Sequence, residues 1–175
     1  LEVAWTKYYL KEYDKTLGLL TALQAPSFLP SISPERFILE ALIYRDLCHY
    51  EAVDTVVRRF KANFRNSFST IRKRKPLKED PILLNMALMD RDLQDKANFI
   101  DQIRREREEL AKFKWQKFSF YKPMLESYSR RDRSLQRELD LILEPKVRDI
   151  ANNLLDTEEQ IQFLDYTSKL DALRI

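Results

Sequence analysis

Only one of the 175 residues is glycine, Gly18. Glycine supplies the positive backbone angles of tight hairpin turns and lets backbone close around phosphate groups. A chain with a single glycine makes few such turns. Many-stranded β folds, phosphate-cradling loops and dinucleotide-binding folds are therefore poor descriptions of it. Charged residues make up 34% of the chain and few segments alternate with a period of two. The expected class is all-α. A length of 175 residues suffices for one sizeable core or two small ones.

The clearest helical signal runs from Ser33 to Phe64. Ser33 can accept a bond from free helix-start amides, Pro34 suits the first helical position, and Glu35 favours the positive end of the helix dipole. Phe37, Ile38, Ala41, Leu42 and Tyr44 share one face. Cys48-His49 is the expected break. A second stripe follows through Tyr50, Val53, Val57, Phe60 and Phe64. Two helices joined so closely lie antiparallel, and the apolar flanks they cannot cover need neighbours. The residues expected to hold this unit are Ala41, Tyr44, Tyr50, Val53, Val57 and Phe60. Truncating Tyr50 to alanine is expected to cost about 3–5 kcal/mol.

An earlier stretch looks like a partial copy. Ala4, Tyr8, Leu10 and Tyr13 stand where the central stretch has Ala41, Arg45, Leu47 and Tyr50, an offset of 37 residues. Helix–turn–helix solenoids repeat at roughly 34 residues. The loop Ser27–Ile32 accommodates the difference. Ala41, Tyr44 and the run Tyr50-Glu51-Ala52-Val53 resemble the tetratricopeptide repeat family, and Leu10 to Thr16 looks like the same opening in the first copy. Cys48 and Lys11 sit where that family usually has glycine, and Phe37 where it usually has tryptophan. The resemblance covers about residues 1–66. It implies paired helices whose inner face binds peptides or helices of other proteins. The run LEALIYRDLCHYEAV also resembles repeat proteins of the bacterial envelope, including lipoproteins of outer-membrane assembly. That likeness implies a periplasmic or outer-membrane-associated setting; without it the expectation is cytoplasmic.

Along the chain, helices are expected over 2–10, 12–24, 34–47 and 50–72, with Pro26, Pro30 and Pro34 punctuating the loop between the pairs. Pro76 ends the fourth. Asp80-Pro81 restarts the chain as a cap and a first-turn proline. Leu83, Met86, Leu93, Ile100 and Ile103 then lie on a helix face within dense mixed charge, which resembles an exposed coiled-coil helix. Lys122-Pro123 is the expected corner. A second long stripe runs through Tyr128, Leu135, Leu139 and Ile142, then Val147, Ile150, Leu154, Ile161, Leu164 and Tyr166, with Pro145 expected to kink or break it. The expected organisation is a repeat segment, 1–75, followed by a long antiparallel helical hairpin, 80–175. Arms of that hairpin would reach roughly 50 Å, and its tip would project.

Charge is uneven. Residues 1–54 carry 5 basic and 8 acidic side chains, residues 55–143 carry 22 and 13, and residues 144–175 carry 4 and 7. The basic middle includes an unbroken run, Arg58, Arg59, Lys61, Arg65, Arg72, Lys73, Arg74, Lys75 and Lys78, with no acid among them. The one cysteine forms no internal disulfide, and the one histidine, His49, makes a metal cluster or a Ser-His-Asp set hard to build. Cys48 beside His49 reads as a packed turn residue rather than a reactive thiol. Carboxylate pairs such as Glu108-Glu109 and Glu158-Glu159 occupy adjacent helical positions and do not face each other. No catalytic residue, cofactor or metal is expected. No apolar run is long enough to span a membrane. Leu1 and the last residues fall within helical patterns, so the chain reads as a fragment of a longer protein, with any signal peptide lying outside it.

Three features bear on function: the inner face of the helical pairs; the basic run, whose plainer reading is a solvated, helix-ending cluster paired with acidic neighbours; and the aromatic cluster Phe113, Trp115, Phe118, Phe120 and Tyr121, expected as hairpin-tip core with a docking patch as the alternative. The expected function is a protein–protein interaction scaffold. The alternative is a binder of nucleic acid or anionic lipid through Arg58, Arg59, Lys61, Arg65, Arg72, Lys73, Arg74 and Lys75.

Overall fold

Each of the first two helical pairs closes through a residue that is not glycine. In the computed structural model, which describes residues 1–23, 25, 33–112 and 118–174, α1 (Glu2–Tyr9) turns into α2 (Tyr13–Ala22), and α3 (Glu35–Asp46) into α4 (Tyr50–Asn63). Lys11 and Cys48 take φ of 58° and 59°. The Lys11 amide donates to the Tyr8 carbonyl at 2.8 Å and the Glu12 amide to Lys7 at 3.0 Å; Cys48 donates to Arg45 at 2.9 Å and His49 to Tyr44 at 2.8 Å. This pair of bonds is the helix ending that usually takes a left-handed glycine. The two endings stand 37 residues apart. So do Ala4 and Ala41, Thr16 and Val53, and Leu20 and Val57, all buried to 2% exposure or less. The 37-residue offset therefore holds in turn geometry and in burial alike. The Ser27–Ile32 loop, with Pro26 and Pro30, lies outside the described residues.

Two local expectations change. The Ser33 side chain makes no capping bond; Pro34 is the cap residue, and the Ser33 carbonyl accepts from the Arg36 amide at 3.3 Å. The expected helix 50–72 is broken at Phe64, whose backbone (φ −102°, ψ 11°) separates α4 from α5 (Arg65–Arg72). The aromatic stripe survives the break. Phe60 lies 5.2 Å from Phe64 and 5.8 Å from Phe68, and Phe37 of α3 stands edge-on to Phe60 at 5.5 Å. Edge-to-face rings of this kind add to simple burial.

A third left-handed residue, Arg74 (φ 51°), ends α5. After the 3-10 turn Leu77–Glu79, Asp80 caps α6 (Pro81–Ala87), accepting from the Ile82 and Leu83 amides, both at 3.0 Å. It also accepts from the buried Ser67 hydroxyl at 3.0 Å, which ties α5 to the start of α6. The expected long helix from Pro81 is interrupted at residues 88–90, and α7 (Arg91–Lys112) follows.

The remaining helix, α8 (Tyr121–Ala172), has 52 residues and is about 78 Å long by helical rise. Lys122-Pro123, expected near the hairpin corner, stands in the first turn of this helix, directly after the turn at residues 119–120, where proline is tolerated because its missing N–H would be unbonded anyway. One reading is overturned. Pro145 does not end the helix. It lies on the exposed face, so the Leu141 carbonyl that loses its partner can turn to water, while Leu143 and Val147 on either side are buried and hold the axis.

Leu135, Leu139, Leu143, Val147 and Ala151 of α8 are buried at steps of four. On a helix of 3.6 residues per turn, each step of four advances about 40°. The buried face therefore winds around α8 as its partners change. Its first half packs against α7, which buries Leu93, Ile100 and Ile103, and α8 also packs on α6, α3 and α4. Ile142 and Tyr166, expected inside, are 44% and 63% exposed for this reason. The hairpin arms are accordingly unequal, since α7 ends far short of the length of α8. Arg104 braces the paired part, donating to Asp132 at 2.9 Å and to Gln136 at 2.8 Å.

Among the described residues the structure is all helical, with eight α-helices, and none is long and apolar enough to cross a membrane. One core runs from Phe37 through Phe68 and on to Leu164, so the line drawn between residues 75 and 80 does not divide it. A smaller core, Ala4, Leu20, Leu39 and Ile43, sits under the first pair, and Trp5 packs against both.

Candidate functional site

The residues expected to hold the central pair divide into two groups. Ala41, Val53, Val57 and Phe60 are fully enclosed. Tyr44 is half-buried against the core, and Tyr50 is half-buried outside both cores. Tyr50 opens α4 right after the left-handed turn, at the end of the pair, where it meets the exposed Cys48. A hydrogen bond to Cys48, then burial, raises its phenol above the ordinary range. Its expected place in the core is corrected accordingly.

The basic run is sorted by the helices that carry it. Arg58 pairs with Asp54 at 2.8 Å. Arg59 turns inward to Glu40 of α3, beside the buried Arg36, whose guanidinium stacks 4.5 Å over the Phe37 ring. Burial lowers Arg36 from its usual range, with Glu40 opposing the shift and Arg59 adding to it. Arg59 thus leaves the outward patch, while Arg58 stays exposed with its charge partnered. Lys78 faces Asp140 at 3.8 Å. Arg72 donates Nη2 to both oxygens of Glu158 on α8 at 2.7 Å. Lys61, Arg65, Lys73, Arg74 and Lys75 make no ion pair among the described residues. A groove of about 560 Å³ between α4, α5 and α8 gathers Lys61, Arg65, Arg72 and Lys73, with Ser69 and Glu158.

A second groove, about 650 Å³, is apolar. Its walls are the first helices of the two pairs, with Trp5, Tyr8 and Tyr9 from α1 and Ile38 and Leu42 from α3, and the last third of α8, with Phe163 and Leu164. Trp5 stacks on Tyr9 at 5.9 Å and meets Tyr8 edge-on at 5.9 Å. Tyr9 and Phe163 are 74% and 65% exposed, so large rings stand open to water here. The groove's one charged lining residue is Glu159. Behind it, Tyr8 and Tyr13 both donate to Asp46 Oδ2, at 2.9 and 3.3 Å. Burial first, and the Asp46 bond second, push the Tyr8 phenol up to about 12.

A polar cleft of about 390 Å³ lies between α3, α6 and α8, lined among others by Glu35, Asn153, Asp156 and Thr157. His49 is not near it, being at the opposite end of α3. No group of three or more metal-ligating side chains gathers among the described residues. At the hairpin tip, Phe118 and Phe120 are exposed and stacked at 5.6 Å, while Tyr121 is buried; Phe113 and Trp115 lie outside the described residues.

Sequence reasoning singled out the inner face of the pairs but not the residues of the apolar groove. The available signal was the doublet Tyr8-Tyr9, since adjacent helical residues cannot both face one core. Phe163 gave none, because only the path of α8 brings it to α1. Compared with family models, curated proteins and solved structures, the chain matches none.

Proposed function

We propose that this chain is a protein–protein interaction scaffold of the tetratricopeptide-like kind, whose docking surface is the groove between α1, α3 and the last third of α8. The observation that carries the reading is the open aromatic wall formed by Trp5, Tyr9 and Phe163. Exposed apolar area of this type marks an interaction site when it is contiguous and concave. The repeated turn geometry at Lys11 and Cys48 supports the family likeness. The occupant this groove suits is an amphipathic helix of another protein, with aliphatic or aromatic anchors at helical spacing. A basic flank on that helix would complement Glu159 and the acidic balance of residues 1–54 and 144–175. The finer likeness, to envelope repeat proteins, would put that partner in the periplasm or at the outer membrane.

The test is site-specific photo-crosslinking in the cells that make the protein, with the probe at Phe163 or, as a control, at Leu141, which is exposed as well. A defined partner captured at 163 and not at 141, and lost when Tyr9 is changed to glutamate, is the expected outcome. Equal capture at both positions, or none at 163, would refute the reading.

A further inference from the structure

We infer that the groove between α4, α5 and α8 is a second binding site, independent of the apolar one, and that its ligand is an acidic polypeptide segment. Three of its cations, Lys61, Arg65 and Lys73, are exposed and have no carboxylate partner among the described residues. The fourth, Arg72, is held in place from behind. Glu158 takes only its Nη2, and its guanidinium lies 5.4 Å over the Phe68 ring. Glu158 is buried, so it orients Arg72 without covering it. Ser69 adds a hydroxyl to the same wall.

The shape of the charge selects among polyanions. Lys61 to Lys73 spans at most about 18 Å by axial rise, the break at Phe64 shortening it. An extended peptide places alternate side chains on one face about 7 Å apart, so a few acidic residues in a row would meet all the cations. A bilayer surface fits less well. No large apolar side chain between Leu47 and Met89 is exposed, which leaves the α4 and α5 walls, where the cations stand, nothing to insert into lipid. Nucleic acid also fits less well. Phe68, the groove's one aromatic ring, is buried and offers no stacking face. A long polyanion would also run past the groove onto α8 residues 144–175, which are net acidic. A short acidic segment ends before that repulsion begins.

The experiment measures binding of three probes over a salt series of roughly 50 to 200 mM. The probes are a fluorescein-labelled peptide of alternating glutamate and serine, a labelled DNA duplex, and phosphatidylserine vesicles set against phosphatidylcholine ones. The proteins are the intact chain, the triple variant Lys61→Glu/Arg65→Glu/Lys73→Glu, and a control triple, Arg130→Glu/Arg131→Glu/Arg137→Glu, with the same change in net charge. All six side chains are exposed, and helical circular dichroism checks that each variant folds. The expected result is salt-sensitive peptide binding that weakens about tenfold in the groove variant and less than about twofold in the control. Three results would overturn the proposal: no salt-sensitive peptide binding, equal loss in both triples, or tighter binding of DNA or vesicles through the same three residues. None of them bears on crosslinking at Phe163.

Discussion

Lys11, Cys48 and Arg74 hold backbone angles that favour glycine, while the chain's one glycine sits exposed in the middle of α2, where a Cβ would meet nothing within 4 Å. Both facts run against local preference and both can be measured. A left-handed non-glycine residue costs roughly 1–2 kcal/mol, and a mid-helix glycine roughly 1 kcal/mol relative to alanine. Cys48→Gly is expected to stabilise the fold by about 1 kcal/mol and Gly18→Ala by a similar amount, read as a shift of the urea midpoint at constant slope. A lower midpoint for either would contradict the assigned geometry. Tyr8 gives a pH prediction. Its phenol titrates near 12 when folded, against an ordinary value of 10.0. The folded state therefore holds its proton more tightly, and the stability this confers is complete below pH 10 and is lost as pH rises toward 12. Unfolding measured across that window should show a decline that Tyr8→Phe makes shallower. Tyr13, raised by burial and by the same Asp46 carboxylate, should account for part of what remains.

Helix α8 shows what an element can absorb when both of its flanks are packed. Pro145 stands where a proline usually breaks a helix, yet the helix continues, because the freed carbonyl faces solvent and the buried residues on either side fix the axis. Replacing Pro145 by alanine restores one backbone bond without disturbing the core. It should stabilise by about 1–3 kcal/mol in chemical denaturation, and a destabilising effect would mean that the bend itself is needed. Helix α4 makes the opposite point, since two residues of one stripe have different fates. Phe60 is fully enclosed among Phe37, Phe64 and Phe68, so Phe60→Ala should cost about 3–5 kcal/mol. Tyr50→Ala, at the rim, should cost under about 2 kcal/mol. Equal losses at the two positions would contradict the burial pattern.

For the whole molecule, the organising fact is that the last half of α8 is part of the core of α3, α4 and α5. Leu154, Ile161 and Leu164 belong to the same cluster as Phe37, Val53 and Phe60. A polypeptide ending at Glu79 would expose that face to water. It should lack cooperative thermal unfolding by circular dichroism, whereas the intact chain should unfold in one transition. A fragment 1–79 that folds cooperatively alone would show two independent units. The same arrangement builds the functional surfaces, since α8 forms a wall of both the apolar and the basic groove.

The helical class, the two turns at Lys11 and Cys48, the 37-residue offset and the Asp80-Pro81 start were all legible in the sequence, because caps, turns and apolar spacing are local and act over a turn or two of backbone. Spacing could not tell which side of α8 is buried. That face winds as its neighbours change, and neighbours distant in the chain are fixed only by packing. For the same reason nine cations in a row became four in a groove, the others turned toward Asp54, Glu40 and Asp140 or left on the turn after α5. Tyr9 and Phe163, 154 positions apart in the chain, came to share one wall. Local chemistry fixed the rods of this protein; the burial of apolar area between distant segments decided which of their faces are left for a partner.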